Sequence, residues 1–168
     1  IKEVNPDTLI LNGDVMDLWQ NDSDKVKKIH RNLFSYFKDK EAIYILGNHD
    51  SEGSKISSVV IDTTEAKILV THGHQGDSNM TNPFIRFGVW LLGKVEKIIP
   101  PIDNFVLKVK DCLSETPSTV SIKTRAYAEK KLEKYDYVVL GHTHKTGIDL
   151  QNRYFNSGTC QEGLFEGV

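Results

Sequence analysis

The sequence predicts an α/β fold in a single domain. Short apolar runs rich in β-branched residues alternate with segments of helical periodicity along its 168 residues. Several of the apolar runs end in glycine next to aspartate, asparagine or histidine, which is typical of buried strands that lead into functional loops. A chain of this length fits one domain.

The first half of the chain alternates strand and helix signals. The helix predicted over Ser23–Phe37 begins at Ser23 as N-cap. Its inner face is predicted from apolar residues at helical spacing, Val26, Ile29, Leu33, Phe34 and Phe37. Strands are predicted at Thr8–Leu11, Ala42–Leu46, Val59–Ile61, Ile68–Thr71, Tyr137–Leu140, Gly147–Leu150 and Arg153–Phe155, the last two joined by a turn at Gln151-Asn152.

Residues 82–134 differ from this pattern and are predicted to form a helical cap inserted into the domain. Helical periodicity covers Phe84–Ile98, Asp103–Leu113 and Thr119–Lys134, with prolines between them. The aromatic stripe that includes Phe84, Phe87, Trp90 and Leu91 is either the core of its helix or the lining of a lipid pocket, and helix core is the favoured interpretation.

The bulk composition excludes some function classes. A net charge of -2 gives no electrostatic case for nucleic-acid binding. The two cysteines form no CxxC pair and predict no disulfide framework. No apolar run reaches the roughly 20 residues that span a membrane. We therefore expect a cytoplasmic protein, either free or peripheral to the membrane. The opening residues, 1–4, resemble the end of a helix already under way, so we expect the natural N-terminus to be absent.

Five of the six histidines lie at the ends of predicted strands, together with carboxylates and an asparagine. Mixed oxygen and imidazole ligands suit Mn²⁺, Fe or Zn²⁺. A carboxylate can bridge two such ions, and two metals roughly 3.5–4 Å apart can clamp the oxygens of a phosphoryl displacement. The candidate set is Asp14, Asp17, Asn48, His49, Asp50, His72, His74, His142 and His144.

These motifs resemble the calcineurin-like metallophosphoesterase superfamily. Its motifs GD, GNH(D/E), H and GHxH are matched in order by 13–14, 47–50, 72–74 and 141–144, each after a predicted strand. The resemblance implies a four-layer α-β-β-α sandwich of two mixed sheets. It also implies a dinuclear centre of divalent transition metals, with Mn²⁺ favoured and Fe or Zn²⁺ as alternatives.

The resemblance also implies residue roles. Asp14 would bridge both metals, Asn48, His72 and His142 would complete the second metal site, and His144 would reach the first. His49 would stabilise the transition state or protonate the leaving oxygen, with Asp50 orienting it.

One family motif is missing. The DxH motif expected upstream of Asp14 does not occur, since Asp7 is followed by Thr8 and Leu9. The first metal site is left with Asp14 and His144. We expect either that an N-terminal strand has been lost or that the protein is a degenerate member, and the helix-like start favours loss.

A narrower resemblance bears on the substrate. The segments 13–19 and 154–158, with a helical insertion between them, are similar to the UDP-diacylglucosamine hydrolase-like group, whose cap holds acyl chains. That group usually carries Arg where this chain has His49, and HGD where this chain has His72-Gly73-His74. Weaker candidates for substrate or supporting contacts are Asp17, His74, Arg86 and Lys145.

The function predicted from these residues is metal-dependent hydrolysis of a phosphomonoester, phosphodiester or pyrophosphate by metal-bound hydroxide. The expected partner is a small phosphorylated substrate such as a nucleotide-linked lipid or sugar. Two alternatives stay open: a nucleotide or nucleic-acid phosphodiesterase, and a non-catalytic metal-binding module of the same fold.

Overall fold

The computed structural model describes residues 5–16, 18, 21–50, 55–77, 84, 87, 88, 91 and 117–158. Most of the predicted cap, including Trp90, lies outside these residues. The strands are β1 (Ile10–Asn12), β2 (Ile43–Ile45), β3 (Ser58–Asp62), β4 (Lys67–Thr71), β5 (Tyr137–Leu140), β6 (Thr146–Asp149) and β7 (Tyr154–Ser157). The helices are α1 (Ser23–Ile29), α2 (Arg31–Asp39) and α3 (Pro117–Leu132), with a 3₁₀ turn at His74–Gly76.

The described strands form two sheets. β1 and β2 pair in parallel, with Ile10 opposite Ile43 and Asn12 opposite Ile45. The second sheet has the order β3-β4-β5-β7-β6, in which β4, β5 and β7 are parallel and the two edge strands are antiparallel. The predicted α/β fold with two sheets is confirmed. β6 and β7 form the predicted hairpin, with Asn152 in its turn.

The single helix predicted over Ser23–Phe37 is wrong in one respect, because the structure breaks it at His30 into α1 and α2. The N-cap is Asp22, whose carboxylate accepts the Lys25 amide at 3.0 Å, and not Ser23. Because a new helix begins after His30, part of the predicted inner face is exposed to solvent. Ile29 and Leu33 are 65% and 41% exposed, whereas Phe37 is buried.

The described core lies between α3 and one face of the five-stranded sheet. Leu69, Val138 and Leu140 pack against Ala128 of α3, with Tyr127 beside them. α3 begins at Pro117, which the sequence placed before the helix; proline is tolerated in a first helical turn because that amide needs no partner. No described helix has the length and apolar character that a membrane crossing requires.

The strand directions decide where the candidate ligands meet. β4 and β5 run in parallel, so their carboxyl ends lie at one edge of the five-stranded sheet. β1 and β2 are parallel in the other sheet and also end together. The loops that follow these four strands carry the four sequence motifs.

Candidate metal centre

The loops after β1 and β2 touch because both contain glycine. A Cβ on Gly47 would collide with the backbone nitrogen and Oδ1 of Asp14. A Cβ on Gly13 would strike the His72 ring and would lie 2.9 Å from the Gly47 Cα, and Gly13 also has a φ of 80°. Both glycines are therefore required by close approach, which brings Asp14 against the second loop.

Asp14 is fixed on both of its carboxylate oxygens. Oδ1 accepts the His49 backbone amide at 2.8 Å, and Oδ2 lies 3.0 Å from Nε2 of His72. Burial acts to raise the pKa of Asp14, but the hydrogen bond and charge of His72, with the charge and amide of His49, lower it to about 2. Asp14 is therefore anionic at neutral pH. Its backbone has a φ of 52°, an uncommon conformation for a residue other than glycine.

Asp50 links the same two loops, because its carboxylate is hydrogen-bonded to the backbone of each. Its side chain is 2% exposed, and it accepts the backbone amides of Met16 at 3.0 Å and Gly47 at 3.2 Å. Hydrogen bonds to a charged acceptor are among the stronger ones in proteins. Asp50 therefore fixes the spacing of the loops that carry Asp14 and His49.

His72 is oriented by the backbone of β1. Its Nδ1 lies 2.8 Å from the Asn12 carbonyl oxygen, which can only accept, so Nδ1–H is the donor. In the neutral form of the ring, the lone pair is therefore on Nε2, whereas the protonated form, whose charge lowers the pKa of Asp14, carries a hydrogen on both nitrogens. Nε2 faces Oδ1 of Asn48 at 3.1 Å and Oδ2 of Asp14 at 3.0 Å. His72 and Asn48 are 2% and 4% exposed, so water does not separate these atoms from one another.

His142 completes the group from the loop after β5. Its ring centroid lies 5.4 Å from that of His72, and its Nε2 lies 3.5 Å from Oδ2 of Asp77. Burial and then the charge of His72 lower the pKa of His142, against the opposing effect of Asp77 and Asp14. His142 is accordingly a neutral imidazole at physiological pH, the form that binds metals.

Ligand atoms of Asp14, His72 and His142 lie within 4.8 Å of one another. Asn48 joins them through its contact with His72. The lone pair of His72 Nε2 and the two oxygens beside it are all electron donors, so a cation, whether a proton or a metal ion, has to lie among them. Two imidazoles, a carboxylate and an amide oxygen form a donor set that suits Mn²⁺, Fe or Zn²⁺. The residues present therefore fit a divalent transition metal.

The other predicted residues are not among the three whose ligand atoms converge. His144 is exposed, and within the described residues it is not part of the group of converging ligands. Lys145 is also exposed, whereas His74 is half-buried with its ring centroid 5.5 Å from that of His72. His49 is half-buried beside Asp14. Asp17 and Arg86 lie outside the described residues.

Two buried residues of the site were missed by the sequence reasoning. One is Asp77, whose Oδ2 lies 3.5 Å from Nε2 of His142. Asn156, 2% exposed, donates from Nδ2 to the Gly141 carbonyl at 3.0 Å and to Oγ1 of Thr143 at 2.9 Å. Asn156 therefore holds the loop that carries His142, which has a φ of 66°. The only signal was that Asn156 stands in a segment already associated with the narrower resemblance.

The calcineurin-like phosphoesterase family model matches residues 1–146. Because the match covers most of the chain, the protein belongs to the calcineurin-like phosphoesterase family. No curated protein sequence matches.

Similar solved structures include two Vps29 proteins. A single mutant of Vps29 from Entamoeba histolytica is 15% identical with a TM-score of 0.41, covering 95% of this chain and 63% of that one. Vacuolar Protein Sorting 29 from Cryptosporidium parvum is 17% identical with a TM-score of 0.45, covering 90% and 58%. The chain thus spans about three fifths of the length of these structures.

Proposed function

We propose that the protein is a metal-dependent phosphoesterase that hydrolyses a phosphomonoester, phosphodiester or pyrophosphate bond. The observation that carries this proposal is the convergence of Asp14, His72 and His142 within 4.8 Å, with Asn48 in contact. Membership of the calcineurin-like phosphoesterase family supports it.

Asp14, Asn48, His72 and His142 would hold one divalent metal, and Asp14 with His144 would contribute to a second. Bound divalent ions supply Lewis acidity toward a phosphoryl oxygen and lower the pKa of a coordinated water. The protein prepares this site in advance. Asp14 is ionised, and the backbone of Asn12 holds His72 in the tautomer whose Nε2 faces the other ligands.

His49 is the residue that we propose protonates the leaving oxygen. Its backbone is fixed by the 2.8 Å hydrogen bond to Asp14, and its side chain is half-buried beside the ligand group. A protonated imidazole near a developing alkoxide is suited to that role. Asp50 supports it through the loop backbone, because it accepts the Gly47 amide two residues before His49.

Hydrolysis of an aryl phosphate monoester and of a bis-aryl phosphodiester in Mn²⁺ tests the proposal. We expect turnover by the unaltered chain and its loss in His72→Ala and Asn48→Ala. His30→Ala, on the exposed junction of α1 and α2, is the matched histidine control and should keep full activity. Full activity in either ligand variant would show that the reaction does not use this site.

The narrower substrate class, a nucleotide-linked lipid, draws support from the cap. The side chains of Phe84, Phe87 and Leu91 are 84%, 60% and 46% exposed, so the favoured expectation that this stripe is helix core is wrong for these three residues. Their spacing places them on one face of a helix. An apolar stripe of this kind suits an acyl chain. Hydrolysis of a nucleoside diphosphate with and without a linked lipid separates this class from simple phosphodiesters.

The second candidate is a non-catalytic metal-binding module of the same fold. The position of His144 favours it, because His144 is exposed and, among the described residues, is not one of the three whose ligand atoms converge. This candidate predicts metal binding by His72 and Asn48 without turnover of either aryl phosphate. Metal stoichiometry measured beside turnover distinguishes the two candidates.

A further inference from the structure

Asp77 is a buried carboxylate that neither the family motifs nor the proposed reaction uses. It follows the 3₁₀ turn at His74–Gly76 and is 3% exposed. Its backbone amide donates to the His74 carbonyl at 3.0 Å. Gly76 lies so close to Tyr127 that a Cβ there would approach the Tyr127 Cβ to 2.6 Å, so α3 holds the turn in place. Asp77 is therefore presented from a fixed position.

The side chain of Asp77 is directed at one nitrogen of His142. Oδ2 lies 3.5 Å from Nε2, and the two side chains are 4% and 9% exposed. The separation is at the long end of hydrogen bonding, and such contacts often shorten when a site is loaded. Since a carboxylate can only accept, Nε2 has to carry the hydrogen.

We propose that Asp77 is a positioning residue for His142: it holds the Nε2–H tautomer and leaves Nδ1 as the metal-ligating atom. This inference rests on the proposed metal site. It assigns to His142 the same arrangement that His72 has, in which one ring nitrogen is anchored to an oxygen and the other faces the ligands. An oxygen that anchors a ligating histidine fixes its tautomer and ring orientation and raises its basicity.

The two histidines are oriented by different oxygen atoms: a backbone carbonyl contacts His72, whereas a side-chain carboxylate contacts His142. His72 is held by the Asn12 carbonyl at 2.8 Å, which is part of β1. His142 itself has a φ of 66° in the loop after β5, and among the described residues its Nε2 faces the Asp77 carboxylate. Asp77 supplies this acceptor from a different element, the turn packed against α3.

A double-mutant cycle on metal affinity tests the inference. Loss of an anchoring oxygen of this kind typically weakens metal binding about 10- to 100-fold. We expect that weakening for Asp77→Ala in the otherwise unaltered chain, measured by Mn²⁺ titration with electron paramagnetic resonance. In the His142→Ala background the same substitution should change the affinity less than about threefold, because Asp77 acts through His142. Asp62→Ala, an exposed aspartate on β3, is the matched control and should leave binding unchanged.

Equal weakening by Asp77→Ala in both backgrounds would overturn the inference, since Asp77 would then act as a direct ligand or a general charge. No weakening in the unaltered background would also overturn it.

The tautomer of His142 gives a readout that needs no substitution at Asp77. In the Zn²⁺-loaded chain, long-range ¹H–¹⁵N spectra of the imidazoles should show His142 protonated at Nε2 and metal-bound at Nδ1. The opposite assignment would refute the role of Asp77. The two failures are distinguishable: absence of all metal binding by the unaltered chain would refute the proposed function, whereas normal metal binding with the wrong tautomer would refute only this inference.

Discussion

Substituting Gly47 by alanine should break the contact between the two loops that carry Asp14 and Asn48. The added Cβ would collide with the backbone nitrogen and Oδ1 of Asp14 and lie 2.8 Å from its Cγ. Rotation of the Asp14 side chain cannot relieve this collision. The nitrogen belongs to the backbone, and Oδ1 can move only by breaking its hydrogen bond to the His49 amide. The loops therefore have to separate.

The expected loss of stability follows from what that separation breaks. Overpacking of this kind costs about 1–3 kcal/mol. Loss of the 2.8 Å hydrogen bond from the His49 amide to Asp14 adds about 1.5–3 kcal/mol, since its acceptor is charged. Alanine recovers about 0.4–1 kcal/mol by restricting the unfolded chain. We therefore expect the free energy of unfolding to fall by about 2–5 kcal/mol. If displacement of Asp14 and Asn48 costs about 2 kcal/mol in the free energy of metal binding, the affinity falls about 30-fold.

Urea unfolding of the metal-free protein and a Mn²⁺ titration of the folded protein measure these two effects. Gly147→Ala is the matched control, because a Cβ on Gly147 meets nothing within 4 Å. We expect the control to change the free energy of unfolding by no more than about 0.5 kcal/mol, as surface substitutions usually do. Unchanged stability and metal affinity in Gly47→Ala would refute the close packing of the loops. So would an equal loss in Gly147→Ala.

Two further predictions concern charge and loop support. The pKa of Asp14, about 2, lies below its ordinary value of 3.8, so its ionised form stabilises the folded state above pH 3.8 and that contribution is lost as the pH falls through about 2. In urea unfolding of the metal-free chain, the free energy of unfolding should fall by about 2 kcal/mol more for the unaltered chain than for Asp14→Asn as the pH is lowered from 3.8 to about 2. Identical pH profiles for the two chains would contradict this role of Asp14. Asn156→Leu should lower the free energy of unfolding by about 2–4 kcal/mol, because acceptors on Gly141 and Thr143 lose their donor. Asn32→Leu, exposed on α2, is its control, and a similar loss there would contradict the assignment.

The sequence predicted the strands, and the meeting of Asp14, His72 and His142 at their ends, for one physical reason. Each run that ends at Asp14, Asn48, His72 or His142 is apolar and stops at a loop containing glycine. Such runs become buried strands, and parallel strands bring their following loops to a common edge. The helix break at His30 could not be predicted in the same way, because the apolar spacing continues across it.

Asp77 and Asn156 were missed because their roles depend on tertiary packing. Asp77 is 65 positions from His142, and the sequence contains 23 acidic residues with nothing to mark this one. Asn156 reaches the loop after β5 only because β7 pairs with β5 in parallel. The positive φ angles at Asp14 and His142, 52° and 66°, are equally invisible in sequence, since neither residue is glycine. Strained conformations of this kind often occur at functional sites.

Metal titration of this chain tests its central assignment most directly. We expect one divalent ion to bind tightly through Asp14, Asn48, His72 and His142, and a second to bind more weakly, because His144 lies outside the converging group. His72→Ala should abolish the tight site, whereas His30→Ala should leave both unchanged. A chain that binds no divalent transition metal, or a His72→Ala variant that binds it as tightly as the unaltered chain, would contradict the assignment.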